Sequence, residues 1–438
     1  MADADPPPVC YLDNNATSLM AGGVIDAFTA WCNRGSPAAD HASGREARRM
    51  MDEFRREIAV ECGFELDGPD AYAVIFTSGA SESNCHIVTG AVRSYAAKTR
   101  RLPHVVAGAA DHSSLLACCR RLAAEKLCQL TVLPVGRAGP GLGAVDPADV
   151  AAALRPNTCL VSAVAANCDT GVLNDLRRMA QATRRARVPF HTDAAQLFGR
   201  SAVRPAALGV DAFSATFHKL GGPPGVGVLV VRRALVDGYG LCPLICGGQN
   251  GGLRGGAENL PGLGAGLAAF RAAMAGRAGK TARVRALRDT LWAALAARVP
   301  CFYLDAHPAD RPPSIDGGIT PPAPARHGGS PEGRRALAAP GPVVFWLAPE
   351  DGRRVLPNTL LLAVRGRGGA AFAAAAARAA LEARGVVVGA CDPNGAVAAM
   401  GVPAALRGGV LRVSLSDETT AEDVKAFATH FLAVITGG

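Results

Sequence analysis

His218 and Lys219 stand where an apolar run ends and a turn of glycines and prolines, at 221–225, begins. Lysine is scarce in this chain, since only five of its 46 basic residues are lysines. A lysine can lose its proton and attack a carbonyl, which an arginine cannot do. Most lysines are solvated surface residues, so the interpretation of Lys219 as a nucleophilic amine depends on its polar neighbours.

Other polar residues follow other apolar runs and could serve such an amine. A lysine that carries an aldehyde cofactor needs a carboxylate for the pyridine nitrogen, a flat group on the ring, hydrogen bonds to the phenolic oxygen and donors for the phosphate. Asp193 could supply the carboxylate, and His112 could stack on the ring. Asn167 and Gln196 could hold the phenolic oxygen. The turn Gly79-Ala80-Ser81 opens a predicted helix, so its N–H groups and hydroxyl suit a phosphate.

Each of these residues also has an ordinary explanation. An aspartate after a strand is often a helix N-cap, as Asp193 could be. His112 could be an exposed loop histidine, and Ser81 could belong to a plain capping motif with an acid in the first turn. Considered one at a time, these explanations are the better ones. The occurrence of all the residues after successive predicted strands favours a shared site.

The sequence pattern predicts an α/β fold with a mostly parallel sheet. Between about 72 and 235, continuous apolar runs alternate with helical stretches, as in sheets that helices cover on both faces. The predicted strands are 72–77, 104–107, 130–135, 159–165, 188–192, 211–216 and 226–231. Ligands of such sheets bind at the carboxyl ends of the strands, and the candidate residues lie there.

The remaining pattern predicts a second, smaller α+β domain. We divide the chain into an N-terminal segment, 1–20, that packs with the small domain, a large domain, 21–265, and the small domain, 266–438. A long helix is predicted over 265–298, and the Pro/Gly-rich stretch 306–342 is predicted to be an inserted surface loop. Further strands are predicted at 343–346, 359–364, 386–388 and 410–414, and helices at 370–383 and 420–435.

Charge and cysteine content exclude several classes of protein. The net charge of +9 is spread along the chain, without a block of like charges that would suggest a nucleic-acid or membrane partner. Thirteen cysteines, an odd number with no C-x-x-C pair, fit neither a disulfide framework nor a zinc site. We therefore expect no metal and a reducing compartment. Because the N-terminus has no apolar signal core and no apolar stretch is long enough to span a bilayer, we expect a cytoplasmic location.

Several motifs resemble those of a known family. They are Tyr11 to Thr17, Thr77 to Asn84, His191 to Gln196, Gly247 to Asn259, Leu356 to Thr359 and Leu411 to Leu415. From about Tyr11 to the C-terminus, apart from 306–342, the chain resembles the NifS-like cysteine desulfurases and the similar selenocysteine lyases. These are pyridoxal-phosphate enzymes of the aspartate-aminotransferase fold. The resemblance therefore implies that fold, that cofactor and a homodimer in which each site takes parts from both subunits.

The resemblance also implies a role for each candidate residue. Lys219 would hold the cofactor, and His112 would stack on the ring and shuttle protons. Arg412 would clamp the substrate carboxylate by a bidentate pair, with Asn15 also at the substrate. The Cys391 thiolate would attack the substrate sulfur, giving a persulfide and alanine. The residues implied to contact the cofactor are Gly79, Ala80, Ser81, His112, Asn167, Asp193, Gln196, Thr216, His218 and Lys219, with Ser81, Thr216 and His218 at the phosphate.

The chain departs from the family pattern at a few positions. Ala257 stands where the family has a threonine that reaches the phosphate in the partner subunit, so we expect weaker cofactor binding, since such a hydrogen bond contributes about 1.5–3 kcal/mol. Pro224 replaces a basic residue, and Cys168 and Asp169 replace Asn and Glu. Asp392 puts a negative charge beside the nucleophile in a short loop, so we expect it to raise the thiol pKa and slow the reaction.

These features lead to one principal hypothesis and three alternatives. The principal hypothesis is a pyridoxal-phosphate-dependent cysteine desulfurase that acts on L-cysteine and can pass sulfur to an acceptor protein. A selenocysteine lyase acting on L-selenocysteine is the closest alternative. The departures at Ala257 and after Cys391 also allow a catalytically weakened relative that serves as a scaffold. An aminotransferase of the same fold, which would need a keto-acid acceptor, is the third.

Overall fold

A sheet of seven strands organises the first half of the chain. The computed structural model describes residues 10–137, 141–201, 204–238, 240–304, 319–320, 340–349, 354–369 and 372–437. The strands are β2 (Tyr72–Thr77), β3 (His104–Gly108), β4 (Gln129–Leu133), β5 (Thr158–Val164), β6 (Phe190–Asp193), β7 (Ala212–Thr216) and β8 (Gly227–Arg232). They follow the order β2-β8-β7-β6-β5-β3-β4. Each strand lies within two or three residues of its predicted position.

All pairings in this sheet are parallel except those of β8, which is antiparallel to both β2 and β7. Strand β8 is antiparallel to β7 because it follows β7 through a short turn, whereas parallel neighbours need a longer crossover connection. The crossovers are helices: α3 (Ala80–Thr99), α4 (Ser113–Ala124), α5 (Pro147–Ala153), α6 (Leu176–Arg185) and α7 (Pro205–Leu208). The predicted α/β sheet, mostly parallel, is confirmed.

Helices cover both faces of the sheet because its strands alternate their side chains. Along β2, Tyr72, Val74 and Phe76 belong to one buried cluster, and Ala73 and Ile75 belong to another on the opposite face. The first cluster includes side chains of α2 (Ala42–Cys62) and α8 (Leu260–Met274), and the second includes side chains of α3 and α4. The amphipathic helix α1 (Gly22–Trp31) packs on α8.

A second sheet of five strands forms the other core. Its order is β10-β9-β11-β12-β14, from β9 (Cys301–Leu304), β10 (Ile319–Thr320), β11 (Val343–Trp346), β12 (Thr359–Arg365) and β14 (Val410–Ser414). The helices α9 (Arg277–Ala296), α10 (Ala374–Glu382) and α13 (Ala421–Thr436) supply side chains to the same cluster. Two short helices, α11 (Ala396–Ala399) and α12 (Ala404–Arg407), precede β14. The strand β1 (Cys10–Leu12) pairs in parallel with β13 (Val386–Val388).

Some predictions for this part of the chain need correction, and others fall on residues that the structure does not describe. The single helix predicted over 265–298 is two helices, α8 and α9, which separate at Gly276 with a left-handed φ of 65°; glycine adopts that conformation without a Cβ penalty. Strand β9 was not predicted. Most of the predicted insert at 306–342 lies outside the described residues. The same applies to residues 1–9. No helix within the described ranges has both the length and the apolarity that crossing a membrane requires.

Candidate active site

Five strands that run in one direction bring the candidate residues to one edge of the large sheet. β6 ends at Asp193, and β7 ends shortly before Lys219. β5 and β3 lead into Asn167 and His112. The charges of Asp193 and Lys219 both influence the pKa of His112, so the three side chains lie within electrostatic reach of one another. The sheet thus assembles residues that are far apart in sequence.

Lys219 has the electrostatic environment of a nucleophilic amine. Burial is the main cause that lowers the pKa of Lys219, and the guanidinium groups of Arg200 and Arg412 lower it further. The Cys168 thiol and the Asp193 carboxylate act in the opposite direction. A lowered pKa increases the fraction of neutral amine, which is the form that attacks a carbonyl.

Asp193 and His112 belong to one hydrogen-bonded network. The buried amide of Asn84 donates to Asp193 Oδ2 over 2.7 Å and to Ser114 Oγ over 3.2 Å. Ser114 Oγ lies 2.8 Å from His112 Nδ1, which also accepts from the Ser114 N–H. Because Nδ1 accepts, the neutral ring carries its proton on Nε2. Burial lowers the pKa of His112, so the neutral form is favoured.

The capping explanations for these two residues hold in part. His112 is the N-cap of α4, where its side chain accepts from the Ser114 N–H. Asp193 Oδ1 accepts from the Ala195 N–H over 3.0 Å. Both side chains therefore combine a local turn contact with a place in the network. A turn contact and a catalytic role are compatible here, because His112 uses only Nδ1 for the turn and Asp193 uses only Oδ1.

Asn167 holds the turn that follows β5. Its Oδ1 accepts from the N–H groups of Asp169 and Thr170, at 3.0 and 2.9 Å, and its Nδ2 donates to the Ala110 carbonyl over 2.9 Å. One Nδ2 hydrogen remains for another acceptor. The predicted contact of Asn167 with a phenolic oxygen stays a prediction.

Gln196 and Asn15 form a brace between the two sheets. Gln196 Nε2 donates to the Asn15 carbonyl over 2.9 Å, and Arg200 Nη1 donates to both side-chain oxygens, at 2.5 Å from Gln196 and 3.0 Å from Asn15. Asn358 also donates to Asn15 Oδ1, and Asn15 Nδ2 donates to the Cys168 carbonyl. These contacts give Asn15 a bracing role, and its contact with substrate stays a prediction.

The turn at Gly79 requires two glycines. Gly79 has a φ of 154°, and a Cβ on Gly227 would lie 2.4 Å from the Gly79 Cα. The backbones of β8 and the turn therefore touch directly. Gly79 is the N-cap of α3 without a side-chain cap, which leaves the first N–H groups at Ala80 and Ser81 for another acceptor. This geometry suits an anion such as phosphate.

The other two residues predicted at the phosphate have partners within the protein. Thr216 Oγ1 donates to the Val226 carbonyl over 3.2 Å, and His218 Nδ1 lies 3.2 Å from Thr17 Oγ1. A hydroxyl that donates can still accept, and His218 keeps Nε2. Their phosphate contacts, and that of Ser81, stay predictions. Ala257 is exposed, so it shows no contact that replaces the missing hydroxyl.

Arg412 is held by two carboxylates. Its Nη1 donates to Asp169 Oδ1 over 2.7 Å, and its Nη2 donates to Asp13 Oδ1 over 2.8 Å. The guanidinium is buried, and its Nε has no hydrogen-bond partner within the described part of the chain. The Cys391 thiol donates to the Asp392 carbonyl over 3.6 Å, and the Asp169 carboxylate raises the pKa of the same thiol. Asp169 thus pairs with the predicted carboxylate clamp and lies within electrostatic reach of the predicted nucleophile.

The cause of the raised pKa at Cys391 differs from the predicted cause. Burial is the largest cause that raises the pKa of the half-buried thiol, followed by Asp169, while Arg412 lowers it. The prediction had assigned the effect to Asp392. The Asp392 carboxylate instead accepts from the Asn394 N–H over 2.9 Å. Adjacency in sequence was a poor guide because the charge that acts on the thiol comes from another loop.

Several residues at the site were not predicted. Arg200 and Asn84 brace predicted residues, Asp13 and Asp169 pair with Arg412, and Cys168 places a second thiol close enough to Lys219 to affect its pKa. Asn84 and Asp13 lay inside recognised motifs, which was a usable signal. Cys168 and Asp169 stood out only as departures from the family pattern, and Arg200 had no signal. In the described ranges, no cluster of three or more His, Cys, Asp or Glu residues is arranged to hold a metal ion.

Comparison with known proteins identifies the family. The family model described as aminotransferase class-V matches residues 10–252. The chain belongs to the aminotransferase class-V family. Among its relatives is a cysteine desulfurase of Cereibacter sphaeroides, 34% identical over 69% of this chain and 74% of the relative.

Two further class-V comparisons bear on the prediction. A selenocysteine lyase of Bos taurus is 34% identical over 66% of this chain and 70% of that protein. A solved structure of a NifS-like protein superposes with a TM-score of 0.78, 98% of this chain and 100% of the other being covered, at 23% identity. That structure supports the fold alone. The predicted membership in the NifS-like group, with both desulfurases and selenocysteine lyases as relatives, is confirmed.

We predict that acid destabilises this class-V protein through its buried histidines. His191 bridges Ser162 Oγ and Ser214 Oγ, at 2.8 and 2.9 Å, and burial lowers its pKa from 6.5 to about 4. Between these values the unfolded chain binds a proton that the folded chain does not, so stability falls as pH decreases, by up to about 1.4 kcal/mol per pH unit.

The test is the free energy of unfolding of the wild type and His191→Gln at several pH values. Glutamine can bridge both serines without titrating, so the variant should show a shallower loss on acidification from about pH 6.5. Equal slopes for the two proteins would contradict this role of His191. The slope of the variant should not reach zero, because burial also lowers the pKa of His104 to about 4.

Proposed function

We propose that this protein is a pyridoxal-phosphate-dependent cysteine desulfurase that converts L-cysteine to L-alanine and leaves a persulfide on Cys391. One observation carries the proposal: Gly389, two residues before Cys391, exchanges backbone hydrogen bonds of 2.8 and 3.1 Å with Arg412, and the charge of Arg412 lowers the pKa of both Lys219 and Cys391. A carboxylate-binding cation therefore lies within electrostatic reach of a nucleophilic amine and a thiol. A desulfurase needs these three groups around one small amino acid, whereas an aminotransferase needs no thiol.

The donor set fits pyridoxal phosphate. Lys219 would hold the aldehyde carbon, and Asp193 would face the pyridine nitrogen, with Asn84 holding the carboxylate in place. The close contact between Gly79 and Gly227 leaves a turn with free N–H groups for the phosphate. When bound, the cofactor supplies an electron sink that makes the Cα proton of the amino acid acidic. No residue at these positions contradicts that fit.

Substrate binding, proton transfer and attack on sulfur would each fall to different side chains of this protein. Arg412 would bind the α-carboxylate and fix the orientation of L-cysteine. Lys219 as a neutral amine, and His112 through Nε2, would hold and move the Cα proton. The Cys391 thiolate would attack the substrate sulfur. In the balance, the C–S bond of the substrate is replaced by a C–H bond, and the S–H of Cys391 is replaced by S–SH.

Selenocysteine is the second candidate substrate. Burial and Asp169 raise the pKa of the Cys391 thiol, so only a small fraction is thiolate at neutral pH. A C–Se bond is weaker than a C–S bond and needs less nucleophilic assistance. The bovine relative named selenocysteine lyase agrees with this alternative. Alanine formation from each amino acid distinguishes the two.

We propose three further properties of the enzyme. The exposed side chains of Leu19, Met20, Ile25 and Phe28 around α1 would be covered in a homodimer, since monomers rarely expose large apolar patches. The exposed residues after Cys391 would let an acceptor protein take the persulfide sulfur. All thirteen cysteines are unpaired, which favours the reducing conditions of the cytoplasm.

We predict that the purified protein, with added pyridoxal phosphate, develops a visible absorption band that changes on addition of L-cysteine, together with release of alanine. Lys219→Arg should lose both the band and the activity, because arginine keeps the charge but not the nucleophilic amine. Absorption spectroscopy and amino-acid analysis measure the two outcomes. Failure of the wild type to gain a band at saturating cofactor would refute the enzyme and favour the scaffold alternative.

We predict that Cys391→Ser abolishes alanine formation from L-cysteine, with a decrease of at least about 10²-fold, because a hydroxyl is a far weaker nucleophile than a thiolate. The absorption band should remain. Cys32→Ser is a matched control, since Cys32 is exposed at the end of α1 and should leave turnover unchanged. Unchanged turnover in Cys391→Ser would mean that the persulfide mechanism is wrong.

We predict a dimer that depends on α1. Light scattering after size-exclusion chromatography should give twice the mass of one chain, and Phe28→Glu should shift the protein toward the monomer because it buries a charge in the interface. Val60→Glu is the control, as Val60 is an exposed apolar residue on α2. A wild type that is monomeric at micromolar concentration would contradict the proposal.

A further inference from the structure

We propose that Cys85 and Cys118 form a redox-active dithiol that a peroxide converts to a disulfide between α3 and α4. The two cysteines lie on neighbouring helices of the large domain, outside the residues assigned to the cofactor and the substrate. The existence of the dithiol does not depend on the proposed function. Its expected consequence, a slower reaction with L-cysteine after oxidation, rests on the proposed function and has a test of its own.

The contacts of the two thiols place them at one point of the interface between α3 and α4. The Cys85 thiol on α3 donates to the Ser114 carbonyl of α4 over 3.9 Å. Cys118 Sγ on α4 lies 3.6 Å from Thr89 Oγ1 of α3. Ser114 lies four residues before Cys118, and Thr89 lies four residues after Cys85. Each thiol therefore contacts a residue that is about one helical turn away from the other thiol.

The helix geometry directs the two sulfur atoms toward each other. Residue i of an α-helix donates its N–H to the carbonyl of residue i−4, so the Ser114 carbonyl that accepts from Cys85 also lies beside the Cys118 N–H. Side chains of a helix lean toward its N-terminus, so the Cys118 side chain leans toward the level of Ser114, where the Cys85 thiol lies. Both thiols are free in this structure, which therefore shows the reduced pair.

The surroundings favour Cys118 as the thiol that reacts first. The Cys85 thiol, the Thr89 hydroxyl and the Arg121 guanidinium, in that order, lower the pKa of Cys118 to about 7, against the effect of burial. The thiolate is the nucleophilic form of cysteine. Cys85 and Cys118 are half-buried, whereas the adjacent Cys119 is buried and its pKa is raised for that reason. Cysteines that sense oxidants share a lowered pKa, partial exposure and a neighbouring second thiol.

The oxidation takes two steps in which atoms and electrons balance. The Cys118 thiolate attacks one oxygen of hydrogen peroxide, the O–O bond breaks, and a sulfenic acid and one water result once the leaving hydroxide takes up a proton. The Cys85 thiol then attacks the sulfenic sulfur, so that an S–S bond replaces the S–O bond and a second water leaves. Together the two cysteines lose two electrons and two protons, which the peroxide accepts.

A disulfide at this point would disturb the network that holds Asp193 and His112. Asn84 precedes Cys85 in the chain and donates to Ser114 Oγ over 3.2 Å and to Asp193 Oδ2 over 2.7 Å. Ser114 Oγ lies 2.8 Å from His112 Nδ1. Disulfide formation removes the Cys85 hydrogen bond from the Ser114 carbonyl and pulls the two helices together, since the sulfur atoms of a disulfide are about 2.05 Å apart. We therefore expect oxidation to slow the reaction several-fold.

The first experiment treats the reduced full chain with stoichiometric hydrogen peroxide, counts thiols under denaturing conditions and analyses unreduced tryptic peptides by mass spectrometry. The wild type should lose two of its thirteen thiols and give a cross-link between the peptides of Cys85 and Cys118. Cys85→Ser and Cys118→Ser should each abolish this cross-link. Cys119→Ala is the matched control and should keep it, because Cys118 and Cys119 share one tryptic peptide. A wild type without the cross-link, or a cross-link that persists in Cys118→Ser, overturns the proposal.

A second experiment uses the holoenzyme, freed of peroxide after oxidation, and rapid mixing with L-cysteine. The rate at which the absorption band changes is measured before the substrate thiol can reduce the disulfide. The oxidised wild type should react several-fold more slowly than oxidised Cys85→Ser, and dithiothreitol should remove the difference; oxidation of Cys391 would affect both proteins alike. Equal rates in the presence of the cross-link overturn the effect on the site. If the wild type never forms the band, the proposed function fails, and the thiol count and cross-link still decide the dithiol.

Discussion

The site depends on one constraint, the direct backbone contact between Gly79 and Gly227. Within the described residues, β8 is the one strand of the large sheet that runs antiparallel to the others, and it lies between β2 and β7. A side chain at Gly227 would clash with the turn at the start of α3, and Gly79 in that turn has a φ of 154°, which side chains rarely allow. This close contact brings the N-terminus of α3, which suits an anion, to the same edge of the sheet as Lys219.

A second level of organisation ties this edge to the small sheet. Asn15 accepts from Arg200, which follows β6, and from Asn358, which precedes β12, so its amide bridges the two cores. Arg200 donates to the Asn14 carbonyl as well. Burial lowers the pKa of Arg200 to about 10, and such a buried cation is tolerated because several oxygens surround it.

The guanidinium of Arg412 carries a buried positive charge between two negative ones. One buried guanidinium satisfies two carboxylates while its Nε has no partner within the described residues. Buried ion pairs of this kind gain little stability because their desolvation is costly.

The amino-acid sequence alone determined which side chains could form the site and which predicted strands they follow. Alternating apolar runs predict strands, and Lys219, Asp193 and His112 follow them, so their convergence could be predicted from the topology of a parallel sheet. The resemblance to the family implied Arg412, through a motif, and Cys391, through its position in the chain. Only the tertiary structure decided that Asp13 and Arg412, 399 residues apart, form an ion pair. It also decided that Asp169 and not Asp392 acts on the thiol. The physical reason is that ion pairs and desolvation depend on distances of a few ångströms between loops of different elements, and sequence spacing does not encode these distances.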